Sequence, residues 1–450
     1  MTETFHSVRL DETKCKGCTL CIKHCPTEAI RVRDGKARIN IDRCIDCGEC
    51  IRICENHAKS AVTDTLAELK KFKYTIALPA PSLYGQFKGV SVGMILEGIL
   101  RVGFNEVAEV AVGAEYVTLA IRKYLERHPA HKKPLISSAC PAIVRLIQVR
   151  FPSLIEHIIP ITSPARAIAK VTKLERAAAL NMDPSQIGMF FITPCPAKAL
   201  AVHDPVGETK IVDGAISMQE IYGSIKRILP QINREDASHA TGMGYGWARA
   251  GGENQAIGLE NHLAVDGIHN VIQVLEEIEL DKLADIDYVE ALACLGGCVG
   301  GPLVVENPFV ARVRIRKLAE RGNRELPDET VKKALEMYAK GDLLVEGSLE
   351  PNRIMQLDQD FEVAIAKLEQ LEATQARLPG LDCGSCGSPT CRALAEDIVQ
   401  GNAQEIDCVF KLREQLSDLA QKLVDLAKKV PPAMGKEYAA RNEEENSENS

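Results

Sequence analysis

The same run of four cysteines, Cys-x2-Cys-x2-Cys-x3-Cys, occurs twice near the amino terminus, and this repeat constrains the chain more than any other feature. The first run recurs 29 residues later, and the two runs are Cys15, Cys18, Cys21, Cys25 and Cys44, Cys47, Cys50, Cys54. Sixteen cysteines among 450 residues are too few for a disulfide scaffold and too clustered for incidental core thiols. Grouped cysteines in a reducing compartment usually bind metal, so the repeat predicts a metalloprotein.

The spacing within each run predicts two [4Fe–4S] clusters, because three closely spaced thiols surround one cubane while the fourth reaches the neighbouring cluster. The predicted ligand sets are Cys15, Cys18, Cys21 and Cys54 for the first cluster, and Cys44, Cys47, Cys50 and Cys25 for the second. Pro26 follows the first run as in the ferredoxin motif, whereas Glu55 replaces the second proline. Zinc is the alternative, since paired Cys-x2-Cys motifs also bind zinc.

The hydrophobic pattern divides the chain into six predicted regions. They are a ferredoxin-like domain over 1–68, an α/β body over 69–354, a helical linker over 355–380, a cysteine domain over 381–409, a heptad helix over 410–432 and a disordered tail over 433–450. In the first region, Ala29 to Ile41 alternates around Asp34-Gly35, which predicts a hairpin.

Short apolar segments alternate with helical periods in the α/β body, which favours largely parallel sheets flanked by helices. The predicted strands are Tyr74–Leu78, Val107–Val112, Pro134–Ser137, Ile187–Ile192 and Tyr288–Leu292. The predicted helices include Ile143–Val149 and Ala165–Leu180.

A third group of cysteines lies near the carboxyl end, after an amphipathic helix predicted over 355–378 with Phe361, Ile365 and Leu368 on one face. Its members are Cys383, Cys386, Cys391 and Cys408. Their spacing and the Leu-Asp-Cys-Gly-Ser-Cys-Gly opening resemble a small iron–sulfur domain of some ferredoxin-linked membrane complexes and corrinoid iron–sulfur proteins. A third [4Fe–4S] cluster is implied, with a zinc knuckle as the alternative.

Seven apolar positions follow at alternating spacings of three and four, which predicts a helix of about three heptads. They are Val409, Leu412, Leu416, Leu419, Leu423, Leu426 and Val430, and Pro431-Pro432 ends the helix. Such a stripe can form a parallel homodimer or pack back on residues 355–378 as a hairpin.

Charge and hydropathy exclude other classes of partner. The chain has 54 basic and 62 acidic residues, a formal net charge of −8 and no sustained basic run, so nucleic acid is a poor candidate. No uncharged apolar run reaches about 18 residues and no early stretch resembles a signal peptide. We therefore expect a cytoplasmic protein without a membrane partner.

The remaining four cysteines have no compact spacing, but their surroundings carry a resemblance. Cys140 lies in Ser-Ser-Ala-Cys-Pro, Cys195 in Thr-Pro-Cys-Pro-Ala-Lys, and Cys294 and Cys298 in Glu-Ala-Leu-Ala-Cys-Leu-Gly-Gly-Cys-Val-Gly-Gly. These segments resemble, in order, the three active-site signatures of [FeFe]-hydrogenases, written TSCCP, MPCxxKxxE and ExMACxxGCxxGG. Ala80-Pro81-Ser82, Ser163-Pro164 and Gly251-Gly252-Glu253 also match the family in the expected order, so the resemblance covers residues 1 to about 310.

The resemblance implies an H-cluster, in which a [4Fe–4S] cubane is bridged to a diiron unit carrying CO, cyanide and azadithiolate. The implied cubane ligands are Cys140, Cys195, Cys294 and Cys298, with Cys298 as the bridge. Lys198 and Ser82 are implied to hydrogen-bond the cyanides, and Pro81 lies beside them in the same segment. Anionic ligands in a dry cavity require such donors.

The chain departs from the family where protons move. The first cysteine of the first signature, which relays protons in catalytic members, is Ala139 here, and the glutamate that closes the second signature aligns with Ala201. Two methionines that line the diiron site align with Thr193 and Leu292, and GGGQP becomes Gly300-Gly301-Pro302. Each lost step of acid–base assistance typically costs about 10²–10⁴-fold in rate.

Retained metal ligands with a broken relay resemble the sensory groups of the family. The leading hypothesis is a hydrogen sensor that oxidises H2 slowly and passes electrons through its clusters to a redox or signalling partner protein, with the family's maturation machinery supplying the diiron unit. The alternatives are a low-turnover metabolic hydrogenase and a non-catalytic iron–sulfur protein without the diiron unit, as among the family's eukaryotic relatives in iron–sulfur protein assembly.

Overall fold

The computed structural model describes residues 5–128, 132–233, 237–323 and 325–429. The chain forms two compact units. The larger unit contains Met1–Ala29 and Lys36–Met355, and the smaller contains Ile30–Gly35 and Gln356–Ser450. A short segment between the two cysteine runs therefore belongs to the same unit as the carboxyl-terminal cysteines.

The strands are short, and most of the regular structure is helical. The strands are β1 Val8–Leu10, β2 Ile30–Arg33, β3 Lys36–Ile39, β4 Lys59–Ala61, β5 Tyr74–Pro79, β6 Glu106–Val107, β7 Leu135–Ile136, β8 Ile187–Thr193, β9 Gly214–Ser217, β10 His262–Asp266 and β11 Tyr288–Leu292. The helices are α1 Leu20–Lys23, α2 Glu49–Arg52, α3 Val92–Val102, α4 Val110–Arg127, α5 Pro141–Arg150, α6 Pro164–Leu180, α7 Pro196–His203, α8 Met218–Ile228, α9 Gly242–Gly246, α10 Gly252–Ile257, α11 Ile268–Glu279, α12 Pro308–Arg321, α13 Asp328–Lys340, α14 Phe361–Arg377, α15 Cys391–Val399 and α16 Val409–Ala427.

Two parallel sheets form the framework of the larger unit, which confirms the predicted α/β class. One sheet has the order β6-β5-β8-β9, with Tyr74 opposite Ile187 and Phe190 opposite Gly214. The other has the order β10-β11-β7, with Val289 opposite Ile136. The central strands β5, β8 and β11 are almost wholly buried because helices cover the sheets.

The amino-terminal repeat is also a repeat in backbone geometry. Positive φ angles occur at Thr19 and Gly48, and again at Glu28 and His57, so each pair is separated by the same interval as the cysteine runs. The short helices α1 and α2 begin directly after Thr19 and Gly48. The antiparallel pair β1–β4 joins the start of this region to its end.

The smaller unit has its own apolar core. Leu371 of α14, Leu394 and Ala395 of α15, Leu378 and Cys408 form this core, with Cys386 and Cys391 packed against it. Strand β2 lies in this unit, and Asp34 and Gly35 after it have φ angles of 53° and 71°, as the predicted turn requires.

Several predicted elements differ from the structure. Val107–Val112 is wrong as a strand, because pairing stops at Val107 and α4 begins at Val110. The predicted linker helix begins at Phe361, and its apolar face is exposed: Phe361 is 77% exposed, whereas the buried residues of α14 are Leu371 and Thr374. Strands β9 and β10 were not predicted. The predicted disordered tail, Val430 and the two prolines lie outside the described residues.

The stripe of leucines on α16 is exposed. Leu412, Leu416, Leu419, Leu423 and Leu426 are 41–67% exposed, and no side chain of α16 is buried among the described residues. The intramolecular hairpin would bury this stripe, so that alternative is wrong for the described part of the chain. Along the described ranges, no helix is both long and apolar enough to span a bilayer.

Candidate functional site

The carboxyl ends of the parallel strands carry the signature residues of the larger unit. Cys195 follows β8 by two residues, Cys294 follows β11 by two, and Cys140 follows β7 by four. Ser82 follows β5 in the same way. β5 and β8 belong to one sheet and β7 and β11 to the other, so each sheet brings signature residues that are far apart in sequence to one of its edges.

Four thiols that the sequence analysis grouped together line one small internal cavity: Cys140, Cys195, Cys294 and Cys298. Burial raises the pKa of the Cys195 thiol to about 11; Lys198 opposes this rise, and Cys298 and Cys140 add to it. Burial raises the pKa of Cys294 to about 12. In such surroundings the thiols stay protonated and neutral unless a bound metal deprotonates them. The donor set therefore fits a soft metal centre.

Lys198 brings positive charge to these thiols. It lies on α7, one turn after Cys195, and its Nζ donates to Sγ of Cys298 at 3.4 Å. Burial works against the charged form, but Cys298, Cys195 and Cys140 raise the lysine pKa above its ordinary value. The ammonium therefore remains charged in a water-poor place, as a donor to anionic ligands must.

A larger cavity of about 340 Å³ adjoins the thiols, and Lys198 and Cys298 line both spaces. Pro81, Ser82 and Ala139 also face the larger cavity. The Ser82 side chain is fully buried, and among the described residues its hydroxyl has only Met218 Sδ, at 3.9 Å, as a weak partner. Its hydroxyl is therefore available to a ligand in this cavity, and the residues present fit a compact group carrying anionic ligands.

Three of the four positions where the sequence departs from the hydrogenase signatures lie on the wall of the same cavity. Ala139, Ala201 and Leu292 line it, and none of them holds an exchangeable side-chain proton. The fourth, Thr193, is occupied elsewhere: its hydroxyl donates to the Cys195 carbonyl oxygen at 3.0 Å.

Two buried glutamates near Ala139 received no role in the sequence analysis. Ser137 Oγ donates to the Glu253 carboxylate at 2.9 Å, and Tyr288 donates its hydroxyl proton to the same group at 2.6 Å. The main-chain N–H of Ala139 donates to Ser137 Oγ at 3.2 Å. Glu253 and Glu290 also line the larger cavity. A hydrogen-bonded chain therefore runs from the peptide at position 139 to a buried carboxyl group.

Both carboxyl groups hold protons more tightly than ordinary glutamates. Burial, followed by the charge of Glu290, raises the pKa of Glu253. Burial also raises the pKa of Glu290, while backbone N–H donors from Asn254 and Gly251 oppose it. Because both pKa values shift toward neutrality, the pair can exchange a proton near neutral pH. The Gly251-Gly252-Glu253 segment was visible in the sequence, but a charged residue after two glycines does not by itself indicate burial.

The structure brings together both predicted ligand sets of the repeat. Burial raises the pKa of Cys21 to about 11, and Cys18, Cys15 and Cys54 lie close enough to raise it further. Burial raises the pKa of Cys47 in the same way, with contributions from Cys25, Cys50 and Cys44. Each fourth cysteine therefore lies with the opposite run.

The second cysteine run approaches the four central thiols directly. Cys47 lines the same small cavity as Cys140, Cys195, Cys294 and Cys298. Gly48 has φ +75°, and a Cβ there would lie 2.6 Å from Cγ of Pro302. Arg52 donates to the Gly300 carbonyl at 2.9 Å. Burial lowers the Arg52 pKa, but Cys294 raises it above its ordinary value.

One buried lysine, Lys59, lies near both cysteine sets of the repeat. Lys59 is 4% exposed, and its Nζ has no hydrogen-bond partner among the described residues. It favours the thiolate form of Cys21, in the first set, and of Cys50, in the second. The sequence gave no sign of this role, because Lys59 lies outside both runs and a single lysine is usually exposed.

The carboxyl-terminal cysteines also meet in the smaller unit. Burial raises the pKa of Cys386, and the nearby Cys408 and Cys383 add to the rise. Cys391 begins α15, and its N–H donates to the Asp382 carboxylate at 2.6 Å. The four thiols, held around a small apolar core, fit a metal centre of the soft-donor type.

Comparisons with known proteins agree with the geometry. The model of the family "Iron only hydrogenase large subunit, C-terminal domain" matches residues 73–262 and 250–302. A 4Fe-4S dicluster model matches residues 7–55, and an Fe-S cluster model matches residues 378–410.

Curated relatives point the same way. The periplasmic [Fe] hydrogenase large subunit of Nitratidesulfovibrio vulgaris is 25% identical over 369 residues, covering 66% of this chain and 86% of the relative. Iron hydrogenase 1 of Clostridium pasteurianum is 24% identical over 393 residues, covering 70% and 68%. An [FeFe]-hydrogenase structure from Chlamydomonas reinhardtii matches with a TM-score of 0.51 at 17% identity, covering 64% of this chain and 98% of that one, which supports the fold.

The raised pKa of Glu253 predicts a pH-dependent stability. In the folded protein the carboxyl keeps its proton above the ordinary glutamate pKa of about 4.3, so stability is full below that value and falls as pH rises towards the raised pKa. Each pH unit removes up to about 1.4 kcal/mol for such a group. We expect Glu253→Gln to lose less stability than wild type between about pH 5 and 8.

Anaerobic thermal unfolding of cluster-loaded protein across this pH range measures the difference. Glu276→Gln, an exposed glutamate on α11, is the matched control and should follow wild type. Parallel pH profiles for wild type and Glu253→Gln would contradict the expectation.

Proposed function

Because the chain belongs to the iron-only hydrogenase family, we propose that it oxidises H2 slowly at an H-cluster and passes the electrons through [4Fe–4S] clusters to a redox or signalling partner. The observation that carries this proposal is the shared cavity wall. Lys198, Ser82 and Cys298 face the same space as Ala139 and Ala201. The residues that would hold the diiron unit are thus kept, whereas the side chains at the two relay positions, both alanine, have no exchangeable proton.

The proposed cofactors follow from the four sets of thiols. Cys140, Cys195, Cys294 and Cys298 would bind the cubane of the H-cluster, and the three other sets would each bind one [4Fe–4S] cluster. The diiron unit, supplied by maturation machinery, would contribute the binding and heterolytic cleavage of H2. Lys198 Nζ and Ser82 Oγ would donate hydrogen bonds to its anionic ligands and fix its orientation.

The chain's own residues would limit proton movement rather than electron movement. Cys47 lies at the central thiols, so the second cluster of the repeat would lie beside the cubane. No side chain at position 139 carries a proton, and the Ser137 hydroxyl next to it donates to Glu253. A proton on the Glu253 carboxylate would therefore be separated from position 139 by the Ser137 hydroxyl and the main-chain N–H of Ala139. This indirect route for the proton supports low turnover, and low turnover supports sensing over metabolism.

The proposed clusters divide among three regions of the chain. Residues 1–68 would carry two clusters, 69–354 the H-cluster and 381–409 the third cluster. The alternative of a protein without a diiron unit is weakened by Lys198 and Ser82. Both donors face the cavity of about 340 Å³. Ser82 is fully buried, and Lys198, which donates one hydrogen bond to Cys298 Sγ, has two further N–H groups for a ligand there.

Infrared spectroscopy tests the cofactor directly. Protein expressed with the family's maturation machinery should show CO and cyanide stretching bands and about 18 iron atoms per chain. Four cubanes without a diiron unit give about 16. A fully matured preparation without those bands would overturn the proposal in favour of the non-catalytic alternative.

Restoring a thiol at position 139 tests the broken relay. We expect Ala139→Cys to raise the rate of H2 oxidation about 10²-fold, the lower end of the contribution of one acid–base step. Ala139→Ser is the control, because its hydroxyl adds similar volume without a comparable acidity. Equal rates for wild type and Ala139→Cys would remove the relay from the explanation. Wild-type rates near those of catalytic members would favour the metabolic alternative.

We also propose that α16 pairs with α16 of a second copy. The fourth heptad positions are all leucine, and the first positions are Val409, Leu416 and Leu423, which together form the apolar seam of a coiled coil. In a parallel pair the flanking positions place Gln415 opposite Ala420 and Lys422 opposite Ala427, so like charges do not face each other. The exposed stripe supports this arrangement.

Sedimentation velocity measures this association. Wild type should be dimeric at micromolar concentration, and Leu416→Glu with Leu423→Glu should be monomeric. Ser417→Glu with Gln421→Glu places the same charge outside the stripe and should stay dimeric. A monomeric wild type would show that the stripe serves another partner.

A further inference from the structure

Strand β2 lies against the loop that carries Cys383 and Cys386 in the smaller unit. The main-chain N–H of Val32 donates to the Gly387 carbonyl at 2.8 Å. Gly387 has φ +83°, and a Cβ there would lie 1.9 Å from the Val32 carbonyl oxygen. Only glycine therefore permits this approach, which places the backbone of β2 directly on the loop between two of the cysteines.

Arg33 attaches β2 to the same loop through its side chain. Its Nη1 donates to the Cys386 carbonyl at 3.1 Å, and its Nη2 donates to Ser388 Oγ at 3.2 Å. Ser388 is fully buried and donates in turn to the Asp397 carboxylate at 2.8 Å. The backbone of Cys386 is thus held by a charged donor from outside the carboxyl-terminal sequence.

Two arginines share one carboxylate at this point. Arg31 donates to both oxygens of Asp397, at 2.7 and 3.0 Å, and Arg33 donates to one of them at 3.0 Å. The three side chains are 16%, 26% and 12% exposed, so solvent screens them only partly. Two guanidinium groups therefore lie at this carboxylate, and one of them, Arg33, also holds the Cys386 backbone.

We propose that Arg31 and Arg33 are positioning residues of the third metal centre. They hold the backbone at Cys386–Ser388, and the positive charge of their guanidinium groups raises the centre's reduction potential. The inference rests on the proposed function to the extent that this site takes a [4Fe–4S] cluster. A cluster gains one negative charge when one electron reduces it, and nearby positive charge and hydrogen bonding stabilise that reduced form.

Thermodynamic reciprocity adds a consequence for signalling. If the docked arginines favour the reduced cluster, reduction must favour the docked arginines by the same free energy. One electron arriving at the third centre therefore tightens β2 against the loop. This converts the redox state of the centre into a change in how firmly residues 30–35 are held.

Redox titration followed by electron paramagnetic resonance tests the charge. The protein is expressed without diiron maturation, and Cys386→Ala supplies the spectrum that lacks the third cluster. We expect Arg33→Ala to lower the ratio of reduced to oxidised third cluster about tenfold at a fixed potential, equivalent to about 59 mV for one electron. Asp397→Asn should shift the midpoint in the opposite direction, and Arg33→Lys should lie between Arg33→Ala and wild type.

Arg413→Ala is the matched control, because it removes an exposed arginine of the same unit. It should leave the midpoint unchanged. Loss of the third cluster in Arg33→Ala but not in Arg413→Ala supports the positioning role, and the shift in Asp397→Asn then decides the role of charge. A retained cluster with unchanged midpoints in Arg33→Ala and Asp397→Asn overturns the proposal.

Hydrogen exchange of the peptide covering residues 30–35 tests the reciprocal effect. Exchange should be slower in dithionite-reduced than in oxidised wild type, and this difference should vanish in Arg33→Ala. Equal exchange in both redox states of wild type would overturn the coupling. The Cys386→Ala spectrum separates the two proposals. Identical spectra for wild type and Cys386→Ala mean that the third cluster is absent, which contradicts the proposed cofactor and this inference. About 16 iron atoms per chain with no midpoint shift contradicts this inference alone.

Discussion

Four thiols that follow the carboxyl ends of three parallel strands meet at one buried point, and the larger unit is arranged around that meeting. Strand β7 leads to Cys140, β8 to Cys195, and β11 to Cys294 and Cys298. Burial raises the pKa of these thiols, so without a metal they would favour the protonated form, whereas a metal binds the thiolate. The metal and the fold are therefore coupled, because the metal supplies the charge that makes a cluster of buried thiolates tolerable.

Positive side chains complete this compensation at each group of cysteines. Lys198 donates to Cys298, Arg52 lies by Cys294, and Lys59 favours the thiolates of both amino-terminal sets. Arg33 holds the Cys386 carbonyl in the smaller unit. Each cation is wholly or partly buried, where charge acts more strongly than in water. The same side chains that make the sites stable would thus set how readily each centre accepts an electron.

Local patterns predicted the cysteine sets and the central strands, because spacing and continuous burial are properties of neighbouring residues. Local patterns failed where the choice between helix and strand depends on tertiary contacts. Val107–Val112 is apolar in either state, and only pairing beyond Val107 would have made it a strand. β9 and β10 are edge strands. β10 is partly exposed and lacks the continuous apolar run that predicts β11, and β9 begins with Gly214 and Ala215, which favour strands weakly. The contact of Arg31 with Asp397 joins residues 366 positions apart, so no local pattern contains it.

With alanine at position 139, the cavity still contains buried carboxyl groups, but these groups belong to residues other than 139. Glu253 is reached through Ser137, and Glu290 lies beside it with its pKa also raised. Under the proposed function, proton movement would be the slow step, while Cys47 would keep an electron route beside the central thiols. With little product leaving, the proposed clusters would approach equilibrium with dissolved H2, and their redox state would report its concentration. That behaviour suits a sensor, whose output depends on occupancy rather than on flux.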